Sequence, residues 1–189
     1  MKIGILALQG AAREHRQPLQ HLGVSTVDVL DPRDLDGIDA LVLPGGENTT
    51  LGKLLEKYRL LEPIADAGRR GLPLFGTCAG MILMAKHVNK SQQPRLGLMD
   101  IRVERNAFGR QQHSFEADLP VPALGARPFH AIFICAPYIE EAGDGVTPLL
   151  RHEGKILLAR QGYFLAAAFH PELTDDARLH DYFLCEVAR

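Results

Sequence analysis

Leu72-Pro-Leu-Phe-Gly-Thr-Cys-Ala-Gly-Met81 decides how this chain is read. A short apolar run ends in Gly-x-Cys-x-Gly and passes directly into Met81-Ile-Leu-Met-Ala85, which reads as a helix. A residue forced into a tight strand-to-helix turn presents its side chain above the edge of the sheet. Glycines on both sides supply the room and backbone freedom that such a turn demands. The helix start behind it offers unpaired N–H groups and a positive dipole end, both of which favour a thiolate. Cys78 is therefore read as a nucleophile, whereas Cys135 and Cys185, which lack such a turn, read as structural.

Strand and helix alternate on the N-terminal side of this turn. Lys2 to Leu8 is a buried strand, and Ala11 to Leu22 an amphipathic helix in which Pro18 predicts a kink or a late start. Ser25 to Leu30 and Ile38 to Leu43 are two further strands. Thr50 to Arg70 carries Leu51, Leu54, Leu55, Tyr58, Leu61 and Ile64 at helical spacing. The alternation predicts an α/β fold, a parallel sheet with helices on both faces and its functional loops at the carboxyl ends of the strands. Beyond Cys78 the pattern changes to short strands at Ile101–Glu104, Ser114–Leu119, Phe129–Ile134, Val146–Arg151 and Ile156–Arg160. These are expected to add antiparallel strands to one edge, with a hairpin turn at Glu153-Gly154. Thr174 is placed to cap a last helix, with Asp175 and Asp176 at its positive end.

A cysteine nucleophile needs a base, and the base needs a third group to fix its tautomer. The apolar run Phe164–Phe169 leads into His170-Pro-Glu172. Residues two apart on an extended segment face one side, so His170 and Glu172 can act together, and Pro171 argues against helix there. Pro44-Gly-Gly-Glu-Asn-Thr-Thr50 occupies another strand-to-helix junction. Its glycines can bring N–H groups close to a ligand as half of an oxyanion hole at Gly46, with the Ala79 N–H as the other half. The plainer reading of that loop is a turn followed by a cap, for which Asn48 and Thr49 are both suited.

Composition narrows the class. The chain has 189 residues, is 46% hydrophobic and has a formal charge of −2, which fits one domain with a substantial core. No basic stripe suggests nucleic acid, and no apolar run approaches membrane-spanning length. Three scattered cysteines suggest no disulfide framework, and the cytoplasm is the expected compartment. No metal is expected. His170-Pro-Glu172 superficially matches the His-x-Glu of zinc deaminases, but the accompanying Cys-x-x-Cys is missing.

Gly4–Gly10, Leu43–Glu47, Phe75–Met81, Val103–Gln111, Ser114–Asp118 and Phe169–Leu173 together resemble the class I (triad) glutamine amidotransferases. More narrowly, the Arg-Asn-x-Phe-Gly-Arg-Gln run from Arg105 and the Ser-Phe-Glu run from Ser114 resemble the glutaminase subunits of pyridoxal 5′-phosphate synthase. The resemblance spans the chain and implies a single domain over residues 1–189. It implies a three-layer flavodoxin-like fold with a mainly parallel central sheet and added antiparallel strands. It also implies hydrolysis of L-glutamine to glutamate and ammonia by Cys78, His170 and Glu172. The ammonia would pass to a barrel-shaped synthase subunit in a large ring assembly, for pyridoxal 5′-phosphate (vitamin B6) biosynthesis. No cofactor is implied, since pyridoxal phosphate is the product of the pathway. By the same analogy Gly46, Glu47, Asn48, Arg105, Ile134 and Cys135 fall at glutamine-binding positions, and Gln9 and Gly10 at a partner-contact or oxyanion position. Asn48 stands where the family usually has Ser, and Cys135 where it usually has Arg, which removes a charge and up to five donors. Two other readings stay open: another cysteine hydrolase such as a γ-glutamyl hydrolase or peptidase, and a non-catalytic scaffold subunit.

Overall fold

Apolar runs too short for helices, separated by helical periodicity, pair in parallel through the first half of the chain. The computed structural model describes residues 1–105 and 114–189. β1 (Lys2–Leu6) is followed by α1 (Ala12–His21) and β2 (Ser25–Val29), and both β2 and β3 (Ala40–Leu43) pair with β1. From β3 the chain runs through α2 (Asn48–Lys57) and α3 (Leu61–Arg69) to β4 (Leu74–Thr77), which lies beside β3. Right-handed crossovers leaving β1 in one direction and β3 in the other put α1 and the α2–α3 pair on opposite faces. Such a sheet binds ligands at the carboxyl ends of its strands, where the chain parts.

After β4 come α4 (Ala79–Met84), β5 (Ala85–Val88), β6 (Met99–Glu104), β7 (Ser114–Leu119), β8 (Phe129–Ile134) and β9 (Tyr138–Ala142). β10 (Thr147–His152), β11 (Lys155–Gln161), β12 (Phe164–Ala167) and α5 (Arg178–Tyr182) complete the order. The main sheet runs β2-β1-β3-β4-β12-β11-β9-β6-β5, with β10 on β11. β12 returns parallel to β4, and antiparallel β11, β9 and β6 extend the sheet from there. This return brings the two halves of the sequence into register, with Ala167 paired to Thr77.

Several elements differ from the expectation. β7 and β8 do not join the edge; they pair with each other in a separate two-stranded sheet. β5 and β9 were not anticipated, being short and carrying two adjacent charged or polar residues, Lys86-His87 and Glu140-Glu141, in place of a strand alternation. The helix expected over Thr50–Arg70 is two helices. Arg59 adopts φ +56°, its N–H reaches the Glu56 carbonyl at 3.0 Å, and the Leu60 N–H reaches Leu55 at 2.8 Å. That is a Schellman ending with arginine in place of the usual glycine, closed by the buried Leu60. α1 accommodates Pro18 inside it, starting at Ala12 rather than late. Thr174 does not cap α5; Asp176 Oδ1 accepts the Arg178 N–H at 3.2 Å. The Glu153-Gly154 hairpin is found as expected, with φ +48° and +77° at its two central residues.

The core has a continuous apolar lining, including the fully buried Phe75, Phe129, Phe133, Phe169 and Phe183. All three cysteines are free thiols. Among the described residues, no helix is long and apolar enough to cross a membrane.

Candidate active site

Cys78 stands between β4 and α4 with φ +47° and ψ −103°. A side-chain-bearing residue held there costs roughly 1–3 kcal/mol, so the surroundings must impose it. The Cys78 N–H donates to the Ala167 carbonyl of β12 at 2.8 Å, and its own carbonyl accepts the Ile82 N–H at 3.2 Å. The flanking glycines contribute space rather than unusual dihedrals, since neither Gly76 nor Gly80 has positive φ. A Cβ on Gly76 would lie 2.6 Å from the Gly80 backbone, and one on Gly80 would collide with the Leu43 carbonyl. The turn can therefore close only with glycine at both positions.

His170 follows β12, with its N–H on the Ile132 carbonyl at 2.9 Å. Its Nδ1 lies 2.8 Å from Glu172 Oε1, and its ring is within hydrogen-bonding reach of Cys78. The two residues meet, but not on an extended segment as expected. Pro171–Leu173 is a 3-10 turn, which Pro171 favours at its first position, and the turn folds Glu172 back under the imidazole. Burial opposes a charge on His170; the hydrogen bonds to Cys78 and Glu172 and the charges of both outweigh it, raising its pKa to about 10. Burial also opposes a charge on Glu172, but the adjacent His15, the His170 hydrogen bond and the charge on His170 hold it below the usual carboxylate range.

The glycine loop closes over this pair. The Gly45 N–H donates to Thr77 Oγ1 at 3.0 Å, and the Gly45 carbonyl accepts the Ala11 N–H at 3.0 Å. A Cβ at Gly45 would collide with the His170 ring and lie 3.3 Å from Cys78 Cβ, so only glycine permits this approach. Glu47 caps α2 by accepting the Thr50 and Thr49 N–H groups at 2.7 and 3.1 Å, a role the sequence suggested for Asn48 or Thr49. These hydrogen bonds, Thr50 first, bring its pKa to about 2.

A pocket of about 380 Å³ opens beside the thiol. Of the residues singled out in the sequence, Gly46, Glu47, Asn48, Cys78, Ala79, Arg105, Ile134, Cys135 and His170 line it. Glu172 lies behind His170. Gln9 reaches the loop from the end of β1, its Oε1 accepting the Glu47 N–H at 3.1 Å, while Gly10, at φ +97°, packs against the Gly45 carbonyl. Arg105 Nη1 donates to Gln93 Oε1 at 3.4 Å; the rest of its motif, residues 106–111, lies outside the described residues. Cys135 is exposed on the pocket wall, which does not fit its reading as structural. Ile82 was missed, although it stands one helical turn after Cys78 and so shares its face. Gly45 and Thr77 were also missed as site residues, and so was His15, a buried member of α1 that lies 3.4 Å from Glu172 Oε2.

The arrangement provides a thiol, a paired imidazole, and N–H groups near both. Ala79 is the first residue of α4, where an N–H has no partner within the helix. The pattern of the SNO glutamine amidotransferase family matches residues 5–189. The chain is 61% identical over 189 residues to "Pyridoxal 5'-phosphate synthase subunit PdxT" of Pelotomaculum thermopropionicum, covering 100% of this chain and 96% of that one. The protein of the same name from Moorella thermoacetica is 56% identical over 184 residues, covering 97% and 98%. A solved glutamine amidotransferase superposes with a TM-score of 0.92 at 49% identity, covering 98% of each chain. PurLQS from Thermotoga maritima, at 16% identity and a TM-score of 0.67 over 97% of each chain, shares the fold.

Proposed function

The chain belongs to the SNO glutamine amidotransferase family, and from that premise we propose how its pocket works. It is the glutaminase subunit of a pyridoxal 5′-phosphate synthase, an amidohydrolase that releases ammonia from L-glutamine. A single glutaminase domain over residues 1–189 carries the reaction, with Cys78, His170 and Glu172 as its catalytic set. The observation that carries this assignment is the His170 Nδ1 to Glu172 Oε1 bond of 2.8 Å, on an imidazole within reach of Cys78.

That bond commits Nδ1–H to the carboxylate and leaves Nε2 for the thiol. His170 takes the Cys78 proton, and Glu172 stabilises the imidazolium without itself being protonated. The thiolate attacks the side-chain amide carbon of glutamine, and the N–H groups of Gly46 and Ala79 receive the developing oxyanion. His170 then gives its proton to the leaving nitrogen, so ammonia departs and a glutamyl thioester remains. Water, activated by the now neutral His170, hydrolyses the thioester and restores the thiol. Arg105 supplies a cation for the substrate carboxylate, and Glu47, held ionised by its cap, supplies an anion for the ammonium. Asn48, Ile134 and Cys135 complete the wall.

Ammonia set free in neutral water becomes mostly ammonium, which is no nucleophile. The synthase subunit therefore has to receive it through a sealed route, and the two proteins act as one complex. We assign the partner as a barrel-shaped synthase in a large assembly, with Gln9 and Gly10 at the contact, and we place the complex in the cytoplasm. Glu47 N–H is held by Gln9 in the free chain, which ties the oxyanion loop to the face offered to that partner. Glutamate release, measured for this protein alone and with its synthase subunit, tests the reading. Stimulation by the synthase that Cys78→Ala abolishes supports it. No glutamate from folded protein under either condition overturns it and leaves a scaffold or a different hydrolase.

A further inference from the structure

Behind the triad lies a second group of polar side chains with no contact with the pocket. Glu172 uses only one of its oxygens on His170. The other, Oε2, is buried and has no hydrogen-bond partner of good geometry, yet His15 Nε2 stands 3.4 Å from it. A buried carboxylate oxygen left without a donor is costly, so the identity of the atom facing it matters. His15 is fully buried in α1. Its Nε2 also lies 3.1 Å from Thr77 Oγ1, and its Nδ1 lies 3.0 Å from Nε2 of the fully buried His180 of α5.

The tautomers of both rings follow from these partners. If His15 carried its proton on Nδ1, its Nε2 lone pair would face the Glu172 carboxylate. His180 would then accept at Nε2 and hold a proton on Nδ1, an atom with no partner, and buried orphan donors are rarer than orphan acceptors. With the proton on Nε2 of each ring, His180 donates to His15 Nδ1, and His15 donates between Thr77 Oγ1 and Glu172 Oε2. A lone pair on His180 and the hydroxyl hydrogen of Thr77 are then left over, but the buried Glu172 oxygen gains its donor. Burial first, and for His180 also the neighbouring His15, lower both pKa values, so both rings are neutral and act as fixed dipoles.

We propose that His15 is a positioning residue for the reaction: its Nε2–H serves the free oxygen of Glu172, and His180 fixes the tautomer that aims it. The proposal rests on the glutaminase reading above. Glu172 must stay ionised at every stage to support the His170 imidazolium, and a donor fixed before the reaction starts costs no reorganisation. Thr77 extends the link, because its Oγ1 also accepts the Gly45 N–H at 3.0 Å. One histidine thus ties the carboxylate, the nucleophile strand and the glycine loop together. The titratable groups bearing on this cluster are His170 and Glu172 in their own turn, His15 and Glu14 from α1, His180 from α5, and Cys78 across from His170. Asp175 follows the turn near the surface. From β8, packed on its other side, His130 is exposed and occupied by Asp118 and Glu116.

His15→Leu removes the donor, and His15→Gln returns an N–H at about the reach of Nε2. In complex with the synthase subunit, His15→Leu is expected to lower kcat roughly 10- to 100-fold with KM within about twofold, the range seen when a supporting hydrogen bond is lost. The acid limb of its kcat/KM profile moves up by about one pH unit, because a carboxylate without its donor protonates more easily. His15→Gln restores most of both. The pH midpoint of Cys78 alkylation by iodoacetamide, read at that residue by mass spectrometry, moves the same way and needs no glutamine turnover. If the wild-type complex releases no glutamate, the glutaminase reading fails, while the alkylation midpoint still reads His15. A folded His15→Leu protein with unchanged acid limb and midpoint overturns the proposal. So does a loss of rate that His15→Gln does not recover. Should His15→Leu not fold, His180→Leu removes the donor to Nδ1; it is expected to shift the midpoint in the same direction by about half as much, and no shift overturns the proposal.

Discussion

Cys78 and Cys135 line the same pocket, and both hold the left-handed backbone that side chains rarely adopt, at φ +47° and +45°. Their surroundings differ in every other respect. Cys78 is buried, its N–H bonded to β12, its turn closed by two glycines that cannot carry a Cβ, and its side chain within reach of a paired imidazole. Cys135 is exposed at the end of β8 and makes no such contacts among the described residues. Backbone strain therefore marks both positions, but only Cys78 has the surroundings that the proposed nucleophile needs. The chemistry proposed for Cys78 rests on the framework that over-determines its turn and sets an imidazole beside it, and each part of that framework can be removed separately.

The largest separation comes from deleting the thiols. Cys78→Ala is expected to abolish glutamate release, a loss of at least about 10³-fold, since the Cys135 thiol in the same pocket has no paired imidazole beside it among the described residues. The variant should still dock to the synthase. Cys135→Ala is expected to act on KM alone, by at most about threefold. Comparable losses from the two substitutions, measured as kcat and KM in the complex, would remove the distinction. Glu172→Gln comes next, with an expected fall in kcat of about 10²- to 10⁴-fold, since an amide can hold the wrong tautomer of His170. A pH signature accompanies it. The folded pKa of His170 is raised, so its contribution to stability is complete below pH 6.5 and is lost as pH rises towards about 10. Glu172 is depressed, so its share is present above its ordinary value of 4.5 and is lost on acidification. Removing the carboxylate lowers the His170 pKa, and the decline in Tm between pH 6.5 and 10 should become shallower by a few degrees in calorimetry.

Cys78 was legible in the sequence because glycine spacing and the switch from strand to helix are local signals. The parallel half of the sheet was legible because its periodicities alternate cleanly. His170 and Glu172 were found through their mutual spacing, although the 3-10 turn that joins them was not, since Pro171 permits both geometries. What the sequence hid was long-range or lacked its usual marker. His15 and His180 are 165 residues apart, and nothing in either helix pattern links them. The break between α2 and α3 carries Arg59 where glycine would have signalled it. β7 and β8 have the alternation of any edge strand, and the seating of Phe129 and Phe133 of β8 against the distant Phe169 is a long-range contact that this alternation does not show. The exposure of Cys135 likewise depends on where β8 ends.

Gly45→Ala tests the packing that Cys135 lacks. The added Cβ would collide with the His170 ring, so loop and imidazole must separate. Displacements of about 1 Å at a reacting pair cost on the order of 10²-fold in rate. The expected loss is about 10- to 100-fold in kcat, with a lower Tm as well, because moving the loop strains the hydrogen bonds of Gly45 to Thr77 and Ala11. A Gly45→Ala enzyme with wild-type kcat would mean that the loop does not set the position of His170.

The smallest effect tests the outermost part of the framework, the Glu47 cap at the start of α2. Its carboxylate accepts two backbone N–H groups and also lines the pocket, so stability and binding should respond separately. Glu47→Gln keeps an acceptor but loses the charge. Because the side chain is exposed, solvent screening limits the stability cost to about 0.5–1 kcal/mol, or roughly 1–4 °C in Tm. The depressed pKa sets the sign: the wild-type advantage is full above pH 4.5 and disappears as pH falls through about 2. A difference in Tm between wild type and Glu47→Gln that narrows over this interval would assign the cap to the ionised carboxylate. In the same variant, a KM for glutamine that rises while kcat holds would separate binding of the substrate ammonium from support of the cysteine turn. A fall in kcat instead would mean that even this distant cap helps hold Cys78 in place, extending the framework beyond the residues that touch it.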